Sequence, residues 1–316
     1  MSANCDCNRS TAKLSPISGI SFIQLNRVQL ADKAWLGRVI EREDGRNSEC
    51  NFTNMYIWDD TFQHYVAEYK GRLLIRLVHG GETFYAFPYG TGDLAPAVAA
   101  LREDAERHGI SLKIKGITAS NKQLLDESFP GQFTFAEERN NFDYIYSLEK
   151  MATLSGKKLH GKRNHIHRFE EGNDWSFEPL TPASLPECAG LMEQWAAGRK
   201  LEEVRDEALA LRRVFTHYDE LKLEGGLLRS GGRAIGFTIG ERLNSDTYIV
   251  HFEKAIAEIQ GAYPMVCREF SRFILEKYPD IQFLNREEDM GNENLRRAKK
   301  GHDPLELLEK FSASWN

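Results

Sequence analysis

The amino-acid sequence predicts two α/β domains in tandem, each with a mixed, mostly antiparallel sheet flanked by helices. The chain has 316 residues, more than one compact core usually supports, which favours two domains of about 150 residues each. Hydrophobic residues account for 41% and charged residues for 28% of the sequence, as in an ordinary globular protein. In addition, one order of strands and helices occurs twice along the chain.

The first half begins with a polar tail, residues 1–18, that we expect to be disordered. An amphipathic helix is predicted at 32–43, because apolar residues recur at helical spacing from Trp35 to Ile40. Gly71 and the pair Gly80-Gly81 are typical of hairpin turns. The other predicted elements are strands at 22–25, 65–69, 73–78, 83–88 and 112–117, helices at 52–58, 94–108 and 122–129, and a strand pair within 133–146.

The second half repeats this order, so that β-α-α-β-β-β-α-β-α occurs in both halves. An antiparallel meander followed by β-α-β-α is the arrangement of the acyl-CoA N-acyltransferase fold. We therefore expect a first domain at 19–150 and a second at 151–316, which starts with a basic bridging helix at about 156–171. The other elements predicted here are strands at 175–180, 226–229, 234–241, 247–253 and 281–285, and helices at 182–199, 201–218, 262–278 and 294–300.

Composition and charge limit the function classes. The net charge of −6 argues against a surface that binds nucleic acid throughout. The sequence has no run of about 18 uncharged apolar residues, and its polar start lacks the apolar region of a signal peptide. We therefore expect a cytoplasmic protein, and the odd number of cysteines fits a reducing compartment. The only close pair, Cys5 and Cys7, has no further ligands nearby; we predict no metal and leave its role open.

Short motifs in the second half are similar to those of one family. The segment LSGKK at 154–158, followed by KRN at 162–164 and HRFE at 167–170, resembles the Ser-Gly-Lys-Lys…Arg…Asn-Arg-Phe signature of the phosphatidylglycerol lysyltransferase C-terminal domain family. NLRRAK at 294–299 resembles that family's Gly-Leu-Arg-x-x-Lys run. NREEDMG at 285–291 is typical of its soluble, uncharacterised branch. The resemblance covers nearly the whole chain after the tail.

The resemblance implies a tandem acyltransferase fold and transfer of an aminoacyl group from a charged tRNA. Characterised members transfer lysine or alanine to a membrane lipid and carry an integral membrane region. This sequence has no such region, which leaves the acceptor open. The match to the family run implies that Arg296 and Lys299, on one face of a helix, hold a phosphate or polarise an ester carbonyl.

Candidate catalytic residues lie where the fourth and fifth strands of the second domain separate. Acyl transfer requires a group that takes a proton and donors aimed at the developing oxyanion. Glu253, at the end of a strand, is our candidate for general base or for binding a substrate amine, whereas His251 is interpreted as a hydrogen-bonded core histidine. Ligands bind at the carboxyl ends of strands in open α/β sheets. The polar run after the fifth strand supplies the catalytic candidates Asn285 and Glu287 and the substrate-binding candidates Arg286 and Asp289.

The segment Gly156–Arg168 carries five cationic side chains and no acid, which suits a tRNA backbone or a cofactor pyrophosphate. The residues that we select there are Lys162, Arg163, Asn164 and Arg168. Residues 258–264 occupy the position of the glycine-rich pyrophosphate loop of acyl-CoA enzymes but contain a single glycine. This favours an aminoacyl-tRNA donor, with Tyr263 as a residue that orients the donor or acts as an acid.

Together these features predict a transferase that moves an aminoacyl or acyl group from a charged tRNA or a CoA-type donor to an amine or hydroxyl acceptor. The acceptor is a small molecule or a peptide, tRNA is the expected macromolecular partner, and the oligomeric state is left open. No cofactor is assigned apart from the donor. The alternative is a non-catalytic module on the same fold that binds RNA or a peptide. The glycine turn at 87–92 is interpreted as a connecting loop.

Overall fold

The computed structural model of the protein describes residues 15–17, 20–197 and 199–316. They form two compact units, the first running to Arg139 and including Glu309–Asn316, the second comprising Asn140–Leu308. Most of the expected disordered tail, with Cys5 and Cys7, lies outside the described residues. The part of it that is described departs from the expectation, because 15–17 is a strand that pairs with 20–22.

The first unit is an α/β unit whose elements follow the predicted order. Lys70 and Gly71 have positive φ values of 51° and 78° in the first hairpin turn, as tight turns require. Asp93 caps the N-terminus of the helix Leu94–Arg107, because its side chain accepts a hydrogen bond from the backbone N–H of Ala95. In chain order the strands and helices of this unit are β1 Ser15–Ile17, β2 Ile20–Phe22, β3 Asn26–Arg27, α1 Lys33–Ile40, α2 Phe52–Ile57, β4 Gln63–Tyr69, β5 Arg72–His79, β6 Glu82–Ala86, β7 Tyr89–Gly90, α3 Leu94–Arg107, β8 Lys113–Thr118, α4 Ala119–Ser128, β9 Phe133–Glu137 and, at the end of the chain, β17 Lys310–Trp315.

The second unit contains the basic segment and the candidate catalytic region. Its strands and helices are β10 Asp143–Ser147, α5 Leu148–Thr153, α6 His160–Gly172, β11 Trp175–Pro179, α7 Leu185–Ala196, α8 Leu201–Thr216, α9 Tyr218–Leu221, β12 Glu224–Ser230, β13 Arg233–Arg242, β14 Thr247–Ala255, α10 Ala262–Lys277, β15 Phe283–Asn285, α11 Glu293–Lys300 and β16 Glu306–Leu308. None of the described helices in either unit is long and apolar enough to cross a membrane.

The two main sheets have the same topology. The strand order is β3-β4-β5-β6-β8-β17-β9 in one and β11-β12-β13-β14-β15-β10-β16 in the other. In each, four antiparallel strands are followed by a parallel fifth strand and then by two antiparallel ones. The prediction of two α/β domains of one fold, each with a mixed, mostly antiparallel sheet, is therefore confirmed.

The division of the chain differs from the expected boundary at residue 150. The sequence predicted β9 and β10 as a strand pair, but β9 pairs with β17 whereas β10 pairs with β15 and β16. The sixth strand of the first unit's sheet is thus β17, which follows the strands of the second unit in the chain. The sixth strand of the second unit's sheet is β10, which follows the strands of the first unit. Without a sixth strand, each fifth strand would have an edge of unpaired backbone N–H and C=O groups. In both sheets a strand that is distant in the sequence forms hydrogen bonds with this edge.

Strands β14 and β15 separate at the edge that the sequence predicted. Their parallel pairing runs only from Thr247–Phe283 to Ile249–Asn285, while β14 continues to Ala255. A register shift against β13, between Ile239 and Gly240, marks a β-bulge in β14 near His251, and a bulged strand bends and twists more strongly than a regular one. Helix α10 packs below this opening on a core that includes Tyr248 and Phe270.

Candidate functional site

Glu253 and Arg286 meet at the opening between β14 and β15. Arg286 is the first residue after β15, and its Nη2 donates a hydrogen bond of 2.7 Å to Glu253 Oε1. The two side chains retain only 11% and 10% of their exposure. A nearly buried ion pair at this position has a strong electrostatic effect on any group that enters the opening.

Three further side chains surround this pair. Cys267 on α10 is hydrogen-bonded to Glu253, and its pKa is raised to about 12 by burial and by Glu253, against the opposing effect of Arg286. The guanidinium of Arg286 lies 5.6 Å from the centre of the Tyr146 ring. Lys162 on α6 is half-buried, and burial and Arg286 lower its pKa. The thiol is therefore protonated and the site contains two cations beside one carboxylate.

His302, which follows α11, completes this group. Its Nδ1 lies 3.1 Å from Arg286 Nη1, and its ring meets the Tyr146 ring edge-on. Burial, Arg286 and Lys162 together hold its pKa well below the ordinary value of 6.5. We refer to these six residues as the Glu253 cluster: Tyr146, Lys162, Glu253, Cys267, Arg286 and His302.

Two buried polar atoms at the cluster have no hydrogen-bond partner within the described part of the chain. They are Nε2 of His302 and Oγ1 of Thr238. Thr238 is fully buried and is the cross-strand partner of Glu253. Buried polar atoms without a partner also occur elsewhere in the described chain, for example Oγ1 of Thr53 and the hydroxyl oxygen of Tyr218, so they do not by themselves mark a ligand site.

Lys299, expected to contact substrate, instead supports the loop after β15. Its Nζ donates to the carbonyl oxygen of Arg286 at 2.5 Å and to that of Glu288. The residue is only 8% exposed, and burial lowers the pKa of its ammonium group. Its two carbonyl contacts fix the loop that carries Arg286.

Arg296 and Asp289, both assigned to substrate binding, form an ion pair with each other. Arg296 donates to both carboxylate oxygens of Asp289, at 2.8 and 3.0 Å, and the hydroxyl of Tyr144 donates to the same carboxylate at 2.7 Å. Asp289 is fully buried. Although burial alone would raise its pKa, the hydrogen bonds from Arg296 and Tyr144 lower it below its usual range.

The catalytic candidates Asn285 and Glu287 also have partners inside the unit. Asn285 is fully buried, donates to Asp143 at 3.1 Å and accepts the backbone N–H of Glu287 at 2.7 Å. Glu287 lies 3.1 Å from His251 Nδ1, and Glu241 lies 3.2 Å from its Nε2. Burial lowers the pKa of His251, but Glu241 and Glu287 outweigh it and raise the pKa to about 9. His251 is thus the hydrogen-bonded core histidine that the sequence indicated.

Tyr263 lies at the start of α10, beside the end of β14. Its hydroxyl is hydrogen-bonded to the backbone of Ala255 and to Trp195, and burial raises its pKa. Gly261, just before it, has a φ of 91°, and a Cβ there would lie 2.6 Å from the carbonyl oxygen of His165 on α6. Helix α6 therefore contacts the turn that occupies the position of the pyrophosphate loop of acyl-CoA enzymes.

The basic segment divides into structural and exposed residues. Arg163 donates to the carbonyl oxygens of Leu154 and Gly156 and so fixes the turn before α6. Asn164 contacts His160 on the same helix at 3.2 Å. Arg168 is exposed, and Lys162 belongs to the Glu253 cluster. Of the four residues selected for tRNA binding, Arg168 alone presents an exposed cation.

The glycine turn of the first unit is a connecting loop, as interpreted from the sequence. The backbone N–H of Gly90 donates to the carboxylate of Glu43. A carboxylate therefore already occupies this backbone donor, which is not available to a phosphate.

Sequence reasoning missed Tyr146, Cys267 and His302. Cys267 and Tyr146 lie in apolar patterns of a helix and a strand, where each is expected to be a core residue. His302 lies just beyond a helix, with no motif around it. Nothing in the local sequence indicates that these three side chains meet Arg286.

Comparison with known proteins identifies the family. Residues 41–314 match the family described as phosphatidylglycerol lysyltransferase, C-terminal. The chain belongs to this family. The resemblance inferred from the motifs of the second half is thereby confirmed, and a search of curated proteins gives no match.

Solved structures agree with this assignment to the phosphatidylglycerol lysyltransferase C-terminal family. A conserved protein of unknown function from Bacteroides thetaiotaomicron is 33% identical, with a TM-score of 0.87 over 92% of this chain and 99% of that one. L-PGS from Bacillus licheniformis is 16% identical, with a TM-score of 0.62 over 90% and 92% of the two chains. A tandem GNAT protein of clavulanic acid biosynthesis, 11% identical, has a TM-score of 0.50 over 92% and 98%. The last two similarities show the fold, which is of the aminoacyl- and acyltransferase type.

Proposed function

We propose that this protein moves an aminoacyl or acyl group from a charged tRNA or a CoA-type donor to an amine or hydroxyl acceptor. The observation that carries the proposal is the Glu253–Arg286 pair, nearly buried at the opening between β14 and β15. Ligands in open α/β sheets bind at such an edge. Family membership supports a transferase function for this opening.

The chemistry of the Glu253 cluster suits an aminoacyl ester. Glu253 offers a carboxylate to the α-amino group of the donor, while Arg286 and Lys162 offer positive charge to its carbonyl oxygen. The acceptor nitrogen or oxygen forms a bond to the carbonyl carbon, and the ester bond to the ribose oxygen breaks. The acceptor proton ends on the leaving oxygen, so atoms and charges balance.

The packing of α6 supports tRNA over CoA as the donor. A glycine-rich turn that binds pyrophosphate needs free backbone N–H groups and open space beside them. Here the turn before α10 is in contact with α6, because a Cβ at Gly261 would lie 2.6 Å from His165 O. The exposed cations on and before α6 suit an RNA backbone.

A transfer assay tests the proposal. Purified protein is incubated with tRNA charged with each radiolabelled amino acid, and separately with acetyl-CoA, in the presence of a heat-treated extract of small molecules and peptides. We expect loss of label from tRNA with wild type and none above background with Glu253→Gln. Glu258→Gln, an exposed carboxylate in the next turn, is the matched control and should behave as wild type.

The second candidate function is a non-catalytic RNA- or peptide-binding module. The exposure of Lys157 and Arg168 favours it, because these cations have access to a polyanion. If neither donor is consumed but tRNA binds with an affinity that falls steeply with salt, the binding module is the better account. Consumption of acetyl-CoA without loss of label from tRNA would instead identify CoA as the donor.

A further inference from the structure

The charges of the Glu253 cluster do not balance. Oε1 of Glu253, the one carboxylate of the cluster, accepts a hydrogen bond of 2.7 Å from Arg286, so the charges of these two residues offset each other. Cys267 adds no negative charge, because burial and Glu253 raise the pKa of its thiol to about 12 against the effect of Arg286. The second cation, Lys162, is therefore left as an excess positive charge.

Lys162 enters the cluster from α6 and is half-buried there. A Cβ built on Gly301 would lie 3.9 Å from Lys162 Cε, which places the lysine side chain beside the turn that carries His302. The ammonium of Lys162 forms no hydrogen bond or ion pair with any residue that the structure describes. His302 cannot offset the charge, because a histidine ring is either neutral or positive.

Three other carboxylates near this opening are matched by partners inside the unit. Glu241 and Glu287 lie 3.2 and 3.1 Å from the two ring nitrogens of His251, whose side chain is only 1% exposed. Asp289 accepts hydrogen bonds from Arg296 on both of its oxygens. None of these three carboxylates is therefore available to pair with a cation of the substrate.

A bound aminoacyl group brings its own charges into the site. In the proposed function its α-amino group is held by Glu253, and its side chain is attached to the same carbon as that amine. The side chain therefore begins next to Glu253, where Arg286 and Lys162 both act on it. A second cation on the substrate would meet like charge in a partly buried site, in which repulsion is stronger than in water.

We infer that the Glu253 cluster accepts aminoacyl groups with a neutral or acidic side chain and discriminates against a cationic one such as lysyl, and that Lys162 sets this preference. The excess positive charge repels a substrate cation and tolerates or attracts a substrate anion. The inference deepens the proposed function and rests on it for the presence of an aminoacyl ligand. It also assigns Lys162 to selection of the transferred group rather than to a general tRNA-binding surface.

Binding of two amino-acid amides tests the preference without any transfer step. Lysinamide and norleucinamide share the α-amino group, the carbonyl group and the side-chain carbons, and only lysinamide has a side-chain ammonium. Each is titrated at constant ionic strength into ¹⁵N-labelled protein, and the backbone amide signals of Glu253 and Arg286 are followed by nuclear magnetic resonance. We expect wild type to bind norleucinamide at least about tenfold more tightly than lysinamide.

Charge variants of α6 separate the effect of Lys162 from that of side-chain shape. Lys162→Glu should reverse the preference, so that lysinamide binds more tightly than norleucinamide, and Lys162→Met should reduce it. Arg168→Glu makes the same change of charge at an exposed position of the same helix and should keep the wild-type preference between the two amides. The melting temperature of each variant reports whether it folds, and Lys162→Met serves if Lys162→Glu does not.

The outcomes separate this inference from the proposed function. Tighter binding of lysinamide to wild type, or an unchanged preference in the folded Lys162 variants, overturns the inference even if transfer from tRNA is found. The absence of a shift with either amide also overturns it, because the cluster then does not take aminoacyl groups. Conversely, if the preference is found and Lys162→Glu reverses it while no charged tRNA is consumed, the selectivity stands and the proposed function fails.

Discussion

Nη2 of Arg286 lies 2.7 Å from Oε1 of Glu253, although the residues are 33 positions apart. Glu253 is on β14 and Arg286 follows β15, so the contact exists only because these two strands run parallel and separate after Asn285. Nζ of Lys299 lies 2.5 Å from the carbonyl oxygen of Arg286 and so holds the backbone of Arg286 in place. The candidate site therefore depends on a braced loop as well as on its own side chains.

Removal of Arg286 should destabilise the protein strongly. In Arg286→Met, Glu253 is left nearly buried without its cation, which costs about 3–5 kcal/mol in comparable pairs. We expect a lower midpoint in urea unfolding, and a smaller loss in the double variant Arg286→Met/Glu253→Gln because no charge is then left unpaired. Arg168→Met should change the free energy of unfolding by no more than about 0.5 kcal/mol. Equal losses in the single and double variants would contradict a coupled pair.

Lys299→Met should lower the melting temperature rather than affect only substrate binding. The ammonium of Lys299 donates hydrogen bonds to the carbonyl oxygens of Arg286 and Glu288, and both oxygens lose this charged donor in the variant. Thermal unfolding of Lys299→Met and of Lys300→Met, its exposed neighbour on α11, gives the comparison. If Lys299→Met melts like wild type but loses transfer, Lys299 acts on the substrate as the family motif implied.

Asp289 should stabilise the folded protein at neutral pH, and this contribution should be lost in acid. Its hydrogen bonds from Arg296 and Tyr144 lower its pKa below the ordinary 3.8 despite burial. A carboxylate with a depressed folded-state pKa stabilises the protein above pH 3.8, and this contribution disappears as the pH falls further. In Asp289→Asn the free energy of unfolding should start lower at pH 7 and decline less between pH 4 and pH 2. Parallel pH curves for variant and wild type would exclude this role.

His251 should contribute to the free energy of unfolding, and this contribution should be lost at alkaline pH. Its pKa is raised from 6.5 to about 9 by Glu241 and Glu287, so the folded protein holds the proton more tightly than the unfolded chain. The contribution is complete below pH 6.5 and is lost as the pH rises through about 9. The shift corresponds to about 3 kcal/mol. Urea unfolding of wild type should show this decline between pH 6.5 and 9, and His251→Gln should not.

Local sequence patterns were sufficient to predict the elements and the region of the site. Hairpin glycines and apolar periodicity predicted most strands and helices within a few residues, because these signals act over a few neighbouring positions. Glu253 and Arg286 were selected because each stands at the end of a strand predicted to border the opening. The motif at 294–299 pointed to Arg296 and Lys299, but it could not show that both brace the loop.

The sequence by itself determined two α/β units of one fold and the edge of the second sheet at which polar residues collect. Only the tertiary structure decided that β17 completes the sheet of the first unit and β10 that of the second. Chain order would place each strand in the other sheet, but an open sheet edge accepts any strand that can reach it. It also decided that Lys162, Cys267 and His302 join Arg286. A residue type shows that a side chain can donate, accept or carry charge. Which partner satisfies it depends on contacts between segments far apart in the chain, and those exist only after packing.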